Sequence, residues 1–277
     1  MRKHRILEQL YNKEQGNNEI GIVWLGQNGF LIKSKSCVFF FDPCLSDFAE
    51  QWTYGWKNEH IRMSAIPIQP KEIVGVDYIL CTHDHVDHID PFTIPIVALR
   101  NKETKFVTPK IAKQRMLSLF IEESNLILLK GEDYIELPDI KIHAIPAAHS
   151  KLEYDSVNGF HFLSYIVDVD GITLFHAGDT IPYEGQTSYF KDFQVDIAML
   201  PINGSQPPEL EFEPNFSIKE AIHFAKEIGA KTLIPMHYDM YTLNTANIAE
   251  FVKLAEGNIK YRVAQNGIPF SINTAEN

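Results

Sequence analysis

The chain reads as an α+β fold in which stacked sheets are covered by helices. Short apolar strands recur along the whole length, amphipathic helical stretches are interspersed among them, and turn signals separate one element from the next. With 277 residues, 45% hydrophobic and 12% aromatic, the chain can bury a full core. No low-complexity tract, charge block, internal repeat or Pro/Gly/Ser linker divides it, so a single domain over residues 1–277 is expected.

Residues 1–19 are polar and helix-prone and read as an N-terminal extension. GIVWLG, GFLIKS and CVFFFDP then follow as successive strands rich in β-branched and aromatic residues. The stretch over residues 44–70 is irregular and carries Phe48, Trp52, Tyr54 and Trp56; long loops of this kind often cover active sites. VDYILCTH is a short apolar strand that ends in a histidine. Apolar positions at Ile111, Ala112, Met116, Leu119 and Phe120 recur at helical spacing just after Pro109. IKIHAIPA, FLSYIVDV and ITLFHAGD are strands of an antiparallel or mixed sheet, with hairpin turn chemistry at Asp168–Gly171. VDIAMLPI is a further buried strand. Ser217 and Glu220 form a capping box for a helix whose inner face is Ile218, Ala221, Ile222 and Ala225, and Gly229 ends it. TLIPMHY closes a last strand at His237, and a helix with Ile248, Phe251, Val252 and Ala255 inward precedes Gly257.

Composition narrows the function classes. The opening MRKHRILEQLYNKEQ has basic residues but no apolar run long enough for a signal peptide or membrane span, so a cytoplasmic protein without a membrane partner is expected. The three cysteines, Cys37, Cys44 and Cys81, have no CxxC spacing and read as reduced, mostly buried thiols. A formal charge of −11 disfavours a broad nucleic-acid footprint. A small anionic substrate needs only a local basic pocket.

The chemistry concentrates in His83-Asp84-His85-Val86-Asp87-His88, an HxHxDH pattern at the end of a strand. Four fixed residues of these types would match somewhere in such a chain by chance with a probability on the order of one in a thousand. Residues two apart on extended chain project to one side, so His83 and His85 can grip one ion. If the chain turns there into a helix near Pro91, Asp87 and His88 face a neighbouring position suited to a second ion. Further ligands are needed, and His149, Asp179 and His237 each stand where an apolar run meets a loop. A carboxylate such as Asp179 can bridge two cations and neutralise part of their charge. Asp87 and Asp179 are candidate catalytic carboxylates as well as ligands. His143, His161 and His223 read as ordinary histidines; His176, three residues before Asp179, reads as a packed core residue or else as a support for a metal ligand. Asp84 either orients a ligand imidazole or takes a proton, or else bonds its own loop backbone.

THDHVDHID, HAGD and IPMHYD resemble the motifs of the metallo-β-lactamase fold superfamily. WLGQNGFLI, RMSAIP at Arg62–Pro67 and THDHVDHID itself resemble the L-ascorbate-6-phosphate lactonase branch, over roughly Gly21 to Phe270. The resemblance implies an αββα four-layer sandwich with a dinuclear site at one edge of the two sheets. It assigns His83, His85 and His149 to one metal and Asp87, His88 and His237 to the other, with Asp179 bridging. Two divalent ions are therefore expected, and these ligands suit zinc, manganese or iron.

The expected reaction is attack of a metal-bridging hydroxide on an ester or lactone. The branch implies a sugar-acid lactone phosphate such as L-ascorbate 6-phosphate. Lys57, His60 and Arg62 are the candidate cations for that phosphate, and Asn203 and Tyr238 could hydrogen-bond substrate. No GxSxG elbow offers a serine nucleophile. A phosphodiesterase acting on a phospholipid or nucleotide, with the aromatics of residues 44–70 facing lipid, is one alternative; a non-catalytic metal sensor is another. The branch resemblance and the aromatic loop point toward a homo-oligomer.

Overall fold

The computed structural model describes residues 5–276, so residues 1–4 of the basic N-terminal reading lie outside it. The chain begins with helix α1 (Arg5–Tyr11), then strands β1 (Glu19–Gly26), β2 (Gly29–Lys33) and β3 (Val38–Phe41) and the short helix α2 (Phe48–Trp52). Strand β4 (Tyr78–Leu80), helix α3 (Ile94–Arg100), β5 (Lys105–Pro109), helix α4 (Lys113–Ser118) and β6 (Leu126–Leu129) come next. Strands β7 (Tyr134–Glu136), β8 (Lys141–Pro146), β9 (Tyr154–Asp155), β10 (Gly159–Phe160), β11 (Leu163–Val169), β12 (Ile172–His176) and β13 (Ile197–Pro201) follow. Helix α5 (Ile218–Glu227), β14 (Thr232–Met236), α6 (Ile248–Ala255) and β15 (Phe270–Asn273) complete the order.

The strands build a seven-stranded sheet, β15-β1-β2-β3-β4-β5-β6, and a six-stranded sheet, β14-β13-β12-β11-β8-β7; β9 and β10 pair separately. Alternation along a strand sends successive side chains to opposite faces. In β3, Phe39 and Phe41 enter the core shared by the two sheets. Val38 and Phe40 face the other way, into a core with Leu7 and Leu10 of α1, Ile94 and Val97 of α3 and Met116 of α4. This is why CVFFFDP is apolar without interruption: both faces are covered. Each fully buried phenylalanine contributes roughly 1.5–3 kcal/mol to holding the layers together. On the far side, Ala221, Phe224 and Ala225 of α5 and Phe251 and Ala255 of α6 extend this apolar cluster over the outer face of the second sheet, where Phe224 meets Phe175. The result is the helix–sheet–sheet–helix sandwich that the resemblance implies. Among the described residues, no helix is long and apolar enough to cross a membrane.

Local chemistry accounts for several element ends. The β11–β12 hairpin turns on Asp170 and Gly171, at φ 50° and 80°, with Val169 opposite Ile172, the backbone that a two-residue turn of this hand requires. In the capping box of α5, the Ser217 side chain accepts from the Glu220 amide and the Glu220 carboxylate accepts from the Ser217 amide. The stretch after Pro109 departs from the expected single helix: Lys110–Ala112 is a 3₁₀ turn, α4 ends at Ser118, and Phe120 lies beyond it at φ 62°, in a left-handed cap conformation. Strand β5 carries no polar alternation that would mark it, because it lies parallel between β4 and β6 inside the larger sheet; β6 is the parallel strand at that sheet's edge.

Topology determines where a site can form. β1 and β3 both run antiparallel to β2, and β4 runs parallel to β3, so the carboxyl ends of β1, β3 and β4 share one end of the first sheet. In the second sheet, β8 and β12 run antiparallel to β11, while β13 and β14 run parallel to β12, so their carboxyl ends also coincide. Leu163 donates its amide to the Thr82 carbonyl at 3.0 Å and the Tyr165 hydroxyl donates to the Cys81 carbonyl at 2.7 Å, joining the two sheets near that end.

Because its cap bond is reciprocal, Ser217→Ala should destabilise the protein by about 1 kcal/mol. Urea unfolding should show a lower midpoint at unchanged slope; an unchanged midpoint would mean the cap contributes nothing.

Candidate metal centre

After β4 the chain leaves the sheet through Cys81 and Thr82. It makes one turn, in which the amides of His88 and Ile89 donate to the His85 carbonyl at 3.1 and 2.9 Å. Asp90 stabilises the exit from this turn, accepting from the Phe92 amide at 2.9 Å, the Thr93 hydroxyl at 2.6 Å and the Ser46 hydroxyl at 2.7 Å. His83 and His85 therefore face one position, while Asp87 and His88 come from the turn that leads toward α3. His149 follows β8, Asp179 follows β12 and His237 follows β14, each at the carboxyl end of its strand.

These side chains converge. Ligand atoms of His83, His85 and His149 lie within 4.8 Å of one another, as do those of His83, His88 and Asp179, and those of Asp87, His88 and His237. Asp179 Oδ2 stands 3.3 Å from His237 Nε2, 3.4 Å from His149 Nε2 and 3.5 Å from His88 Nε2. Donors bound at 2.0–2.1 Å around one tetrahedral ion would stand about 3.3–3.4 Å apart. The spacing fits ligands of a common ion better than direct hydrogen bonds, which are shorter. Moreover, Nε2 of His83 and of His88 is buried and has no protein hydrogen-bond partner. A buried nitrogen left without a partner is costly, and a cation satisfies it. The residues present thus have the donor set, spacing and vacant valences to hold metal ions.

A surrounding layer orients them. Asp42, at the end of β3, is fully buried; its Oδ2 lies 2.8 Å from His88 Nδ1 and accepts from the Thr82 hydroxyl at 2.6 Å, and its Oδ1 accepts from the Thr82 amide at 2.8 Å. With Nδ1–H directed at Asp42, His88 turns Nε2 toward the cluster. The Pro214 carbonyl lies 3.2 Å from His149 Nδ1 and fixes that ring in the same sense. Asn28 donates to Asp179 Oδ1 at 2.5 Å, and Gln27 donates to Asp87 Oδ2 at 3.3 Å. Several strand exits into the site are left-handed: φ is 48° at Gln27, 38° at Asp42, 60° at Gly178 and 62° at His237. A side-chain Cβ at Gly178 would stand 2.8 Å from Thr82 Cβ, so only glycine lets Asp179 approach the histidine loop this closely.

The electrostatics are those of mutually dependent charges. Burial opposes ionisation of Asp179, yet the rings of His237, His88 and His149 hold its carboxyl well below the usual range. Asp87 is likewise opposed by burial but lowered to about 2 by His88 and His60. Burial disfavours charge on His88, but Asp179, Asp87 and Asp42 raise its pKa well above that of a free imidazole. Burial, reinforced by His88 and His85, keeps His83 neutral, and burial lowers His149 to about 4. His83 and His149 are thereby in the neutral form that binds metal beside ionised carboxylates, whereas His88 would give up its proton to an incoming ion.

The cluster lies at the floor of a cleft of about 600 Å³ walled by Trp52, Trp56, His60, Phe212, Glu213 and Asn244. Of the substrate-binding candidates, His60 lines this cleft. Arg62 does not: its Nε is paired with Asp47 at 2.8 Å, its Nη2 donates to the Ser46 carbonyl at 2.6 Å, and the side chain is buried. Lys57 is exposed and outside the lining. Tyr238 is buried, stacked on Trp24 with its hydroxyl donating to the Ala264 carbonyl, and Asn203 lies outside the lining, donating to Asn244 of the wall at 2.7 Å. His176 is fully buried and stacked on Phe41 at 4.4 Å, as a packed core histidine should be. Asp84 lies exposed at the cleft rim. Asp42, Gln27, Asn28 and Glu213 carry no signal of their own in the sequence, although FFFDP and GQNG at strand ends were the places to look.

A family model described as a beta-lactamase superfamily domain matches residues 39–238. A UPF0173 metal-dependent hydrolase of Saccharolobus solfataricus is 28% identical over 210 residues, covering 74% of this chain and 86% of that protein. An Escherichia coli protein named "Probable L-ascorbate-6-phosphate lactonase" is 23% identical over 265 residues, covering 85% of this chain and 74% of that one. In fold, the chain is similar to a metallo hydrolase from Ignicoccus hospitalis, with a TM-score of 0.67 at 21% identity over 92% of this chain and 98% of the other. Family match and architecture agree: the chain belongs to the beta-lactamase superfamily and has the metallo-β-lactamase fold.

Proposed function

We propose that the protein is a metal-dependent hydrolase that opens an ester or lactone bond, with His83, His85 and His149 holding one divalent ion, Asp87, His88 and His237 a second, and Asp179 between them. The observation that carries this reading is the position of Asp179 Oδ2, within 3.5 Å of histidines from both ligand sets. Relatives named as metal-dependent hydrolases support it. When bound, such ions lower the pKa of a coordinated water from about 15.7 toward about 7 and polarise the electrophile.

The protein's own residues supply position and exclusion. Asn28 holds Oδ1 of Asp179 and so leaves Oδ2 facing the cluster. Asp42 and Pro214 direct the Nε2 atoms of His88 and His149 inward. Trp52, Trp56 and Phe212 form an apolar wall that restricts water around a bound substrate. A phosphorylated sugar-acid lactone such as L-ascorbate 6-phosphate would need a cation near this wall. Among the described residues no lysine or arginine lines the cleft, and Asp84, Glu211 and Glu213 make its rim acidic. The favoured substrate is therefore an uncharged ester or lactone with an apolar substituent.

A panel of neutral lactones and esters, L-ascorbate 6-phosphate and phosphodiesters, assayed with zinc and with manganese, tests the reading. Turnover should be highest on the neutral, apolar members. Preference for the phosphorylated lactone or a phosphodiester would overturn the substrate assignment, and inactivity on every member would favour a metal sensor.

Two variants address the centre itself. His88→Ala should abolish turnover and remove roughly one equivalent of metal, read by elemental analysis; retention of both would sink the ligand assignment. Asp42→Ala, which leaves every proposed ligand in place, should weaken metal affinity by about 10–100-fold. Chelator competition checks this, and wild-type affinity would mean that the Asp42–His88 contact has no orienting role.

A further inference from the structure

The segment between β13 and α5 is closed at its base. The Gly204 amide donates to the Phe216 carbonyl at 3.0 Å, the Asn215 amide to the Gly204 carbonyl at 3.1 Å, and the Phe216 amide to the Thr180 carbonyl at 2.8 Å. Its tip carries Glu211, Phe212 and Glu213 into the cleft wall. Glu213 Oε2 lies 3.4 Å from His149 Nε2 and 3.6 Å from His85 Nε2. These are nitrogens of the proposed first ligand set, and the distances match the spacing between His149 and Asp179 at 3.4 Å. Glu213 would thus be a fifth donor to that ion beside His83, His85, His149 and Asp179, a coordination number such centres can reach, and its distances to two of the four fall in the range that donors of one ion keep from each other. Its neighbour Pro214 accepts from Nδ1 of the same histidine, so this dipeptide orients the ring through one nitrogen and faces the other.

We propose that Glu213 is a removable carboxylate ligand of the first ion, delivered by this loop and withdrawn when a substrate oxygen takes its place. The difference from Asp179 is one of anchorage. Asp179 is 4% exposed and held by Asn28, whereas the Glu213 side chain is 38% exposed and sits on a loop over the cleft. A buried, hydrogen-bonded ligand stays; an exposed ligand on a surface loop can leave with only the loop moving. The loop thereby closes the coordination position in the absence of substrate, and Phe212 moves with it as part of the apolar wall. The proposal rests on the metal-centre reading above.

Zinc titration of the full-length protein against a chromophoric chelator, together with absorption spectra of the cobalt-loaded protein, tests it. Wild type should take up two equivalents. Glu213→Gln should bind one at wild-type affinity and the other about tenfold or more weaker, with a changed cobalt spectrum. Glu213→Asp, too short to reach the ion from the same backbone, should behave like Glu213→Gln. Glu209→Gln, on the same loop but exposed and outside the cleft lining, should match wild type. Circular dichroism identical to wild type in all variants excludes misfolding. If both Glu213 variants bind both equivalents with wild-type affinity and spectrum, Glu213 is not a ligand although the metal centre stands. If wild type itself binds no metal, the underlying reading fails instead.

Discussion

The constraint on which the structure depends is charge balance in a buried cluster. Asp42, Asp87 and Asp179 are 0%, 8% and 4% exposed, and no lysine or arginine lines the cleft among the described residues. Isolated buried carboxylates would cost several kcal/mol each, so positive charge must come from elsewhere. In the protein alone, only the imidazoles can supply it, which is why His88 gains proton affinity while Asp179 and Asp87 lose it. Metal ions would provide the same compensation without protonating the rings. The cluster is thus costly without compensating charge, and bound cations would make it a cage whose stability followed metal supply through exchange of protons for metal.

The rest of the fold can be understood as the means of holding that cage. A single sheet could not surround an ion, since its strand ends lie along one line. Two sheets packed face to face, with the carboxyl ends of β3, β4, β8, β12 and β14 at a common edge, place donors on both sides of a gap. The apolar core between the sheets sets the width of that gap, and the Leu163–Thr82 and Tyr165–Cys81 bonds keep it from sliding. The left-handed residues at Asp42 and His237 lie at the same edge. Such conformations cost of order 1–3 kcal/mol each and persist only where surrounding structure enforces them. Here the enforcement is visible: the His237 amide donates to the Gln27 carbonyl at 3.1 Å, tying one sheet's exit turn to the other sheet's hairpin.

Legibility in the sequence followed locality. HxHxDH is compact and follows a strand, so its pattern could be read from adjacent residues; His149, Asp179 and His237 were legible because each terminates an apolar run. The hairpin at Asp170–Gly171 and the cap at Ser217 are likewise local, and both have the expected geometry. Asp42 was not legible, since its role is a contact with His88 at a separation of 46 residues and aspartate before proline has many ordinary uses. Arg62 shows the converse error. Its charge is evident in sequence, but its pairing with Asp47 is a tertiary fact, and that pairing takes it out of the cleft. Glu213 was hidden because nothing in EFEP marks a ligand until the loop is seen lying over His85 and His149.

Division of labour between floor and wall follows from these differences. The floor is made by strand ends, where backbone bonds and packing fix each donor, and its chemistry tolerates little displacement. The wall comes from the loop around α2 and the loop after β13, where Trp52 and Trp56 remain more than half exposed. Changes in these loops can alter which substrate fits without disturbing the cage, because the loops bear on the floor chiefly through the contacts of Glu213 and Pro214 with His85 and His149. On the proposed assignment, that contact is where substrate entry and metal coordination would be coupled. On the same assignment, a chain that kept the floor but replaced this loop would keep the other metal ligands while losing the carboxylate that responds, at the ion itself, to filling of the cleft.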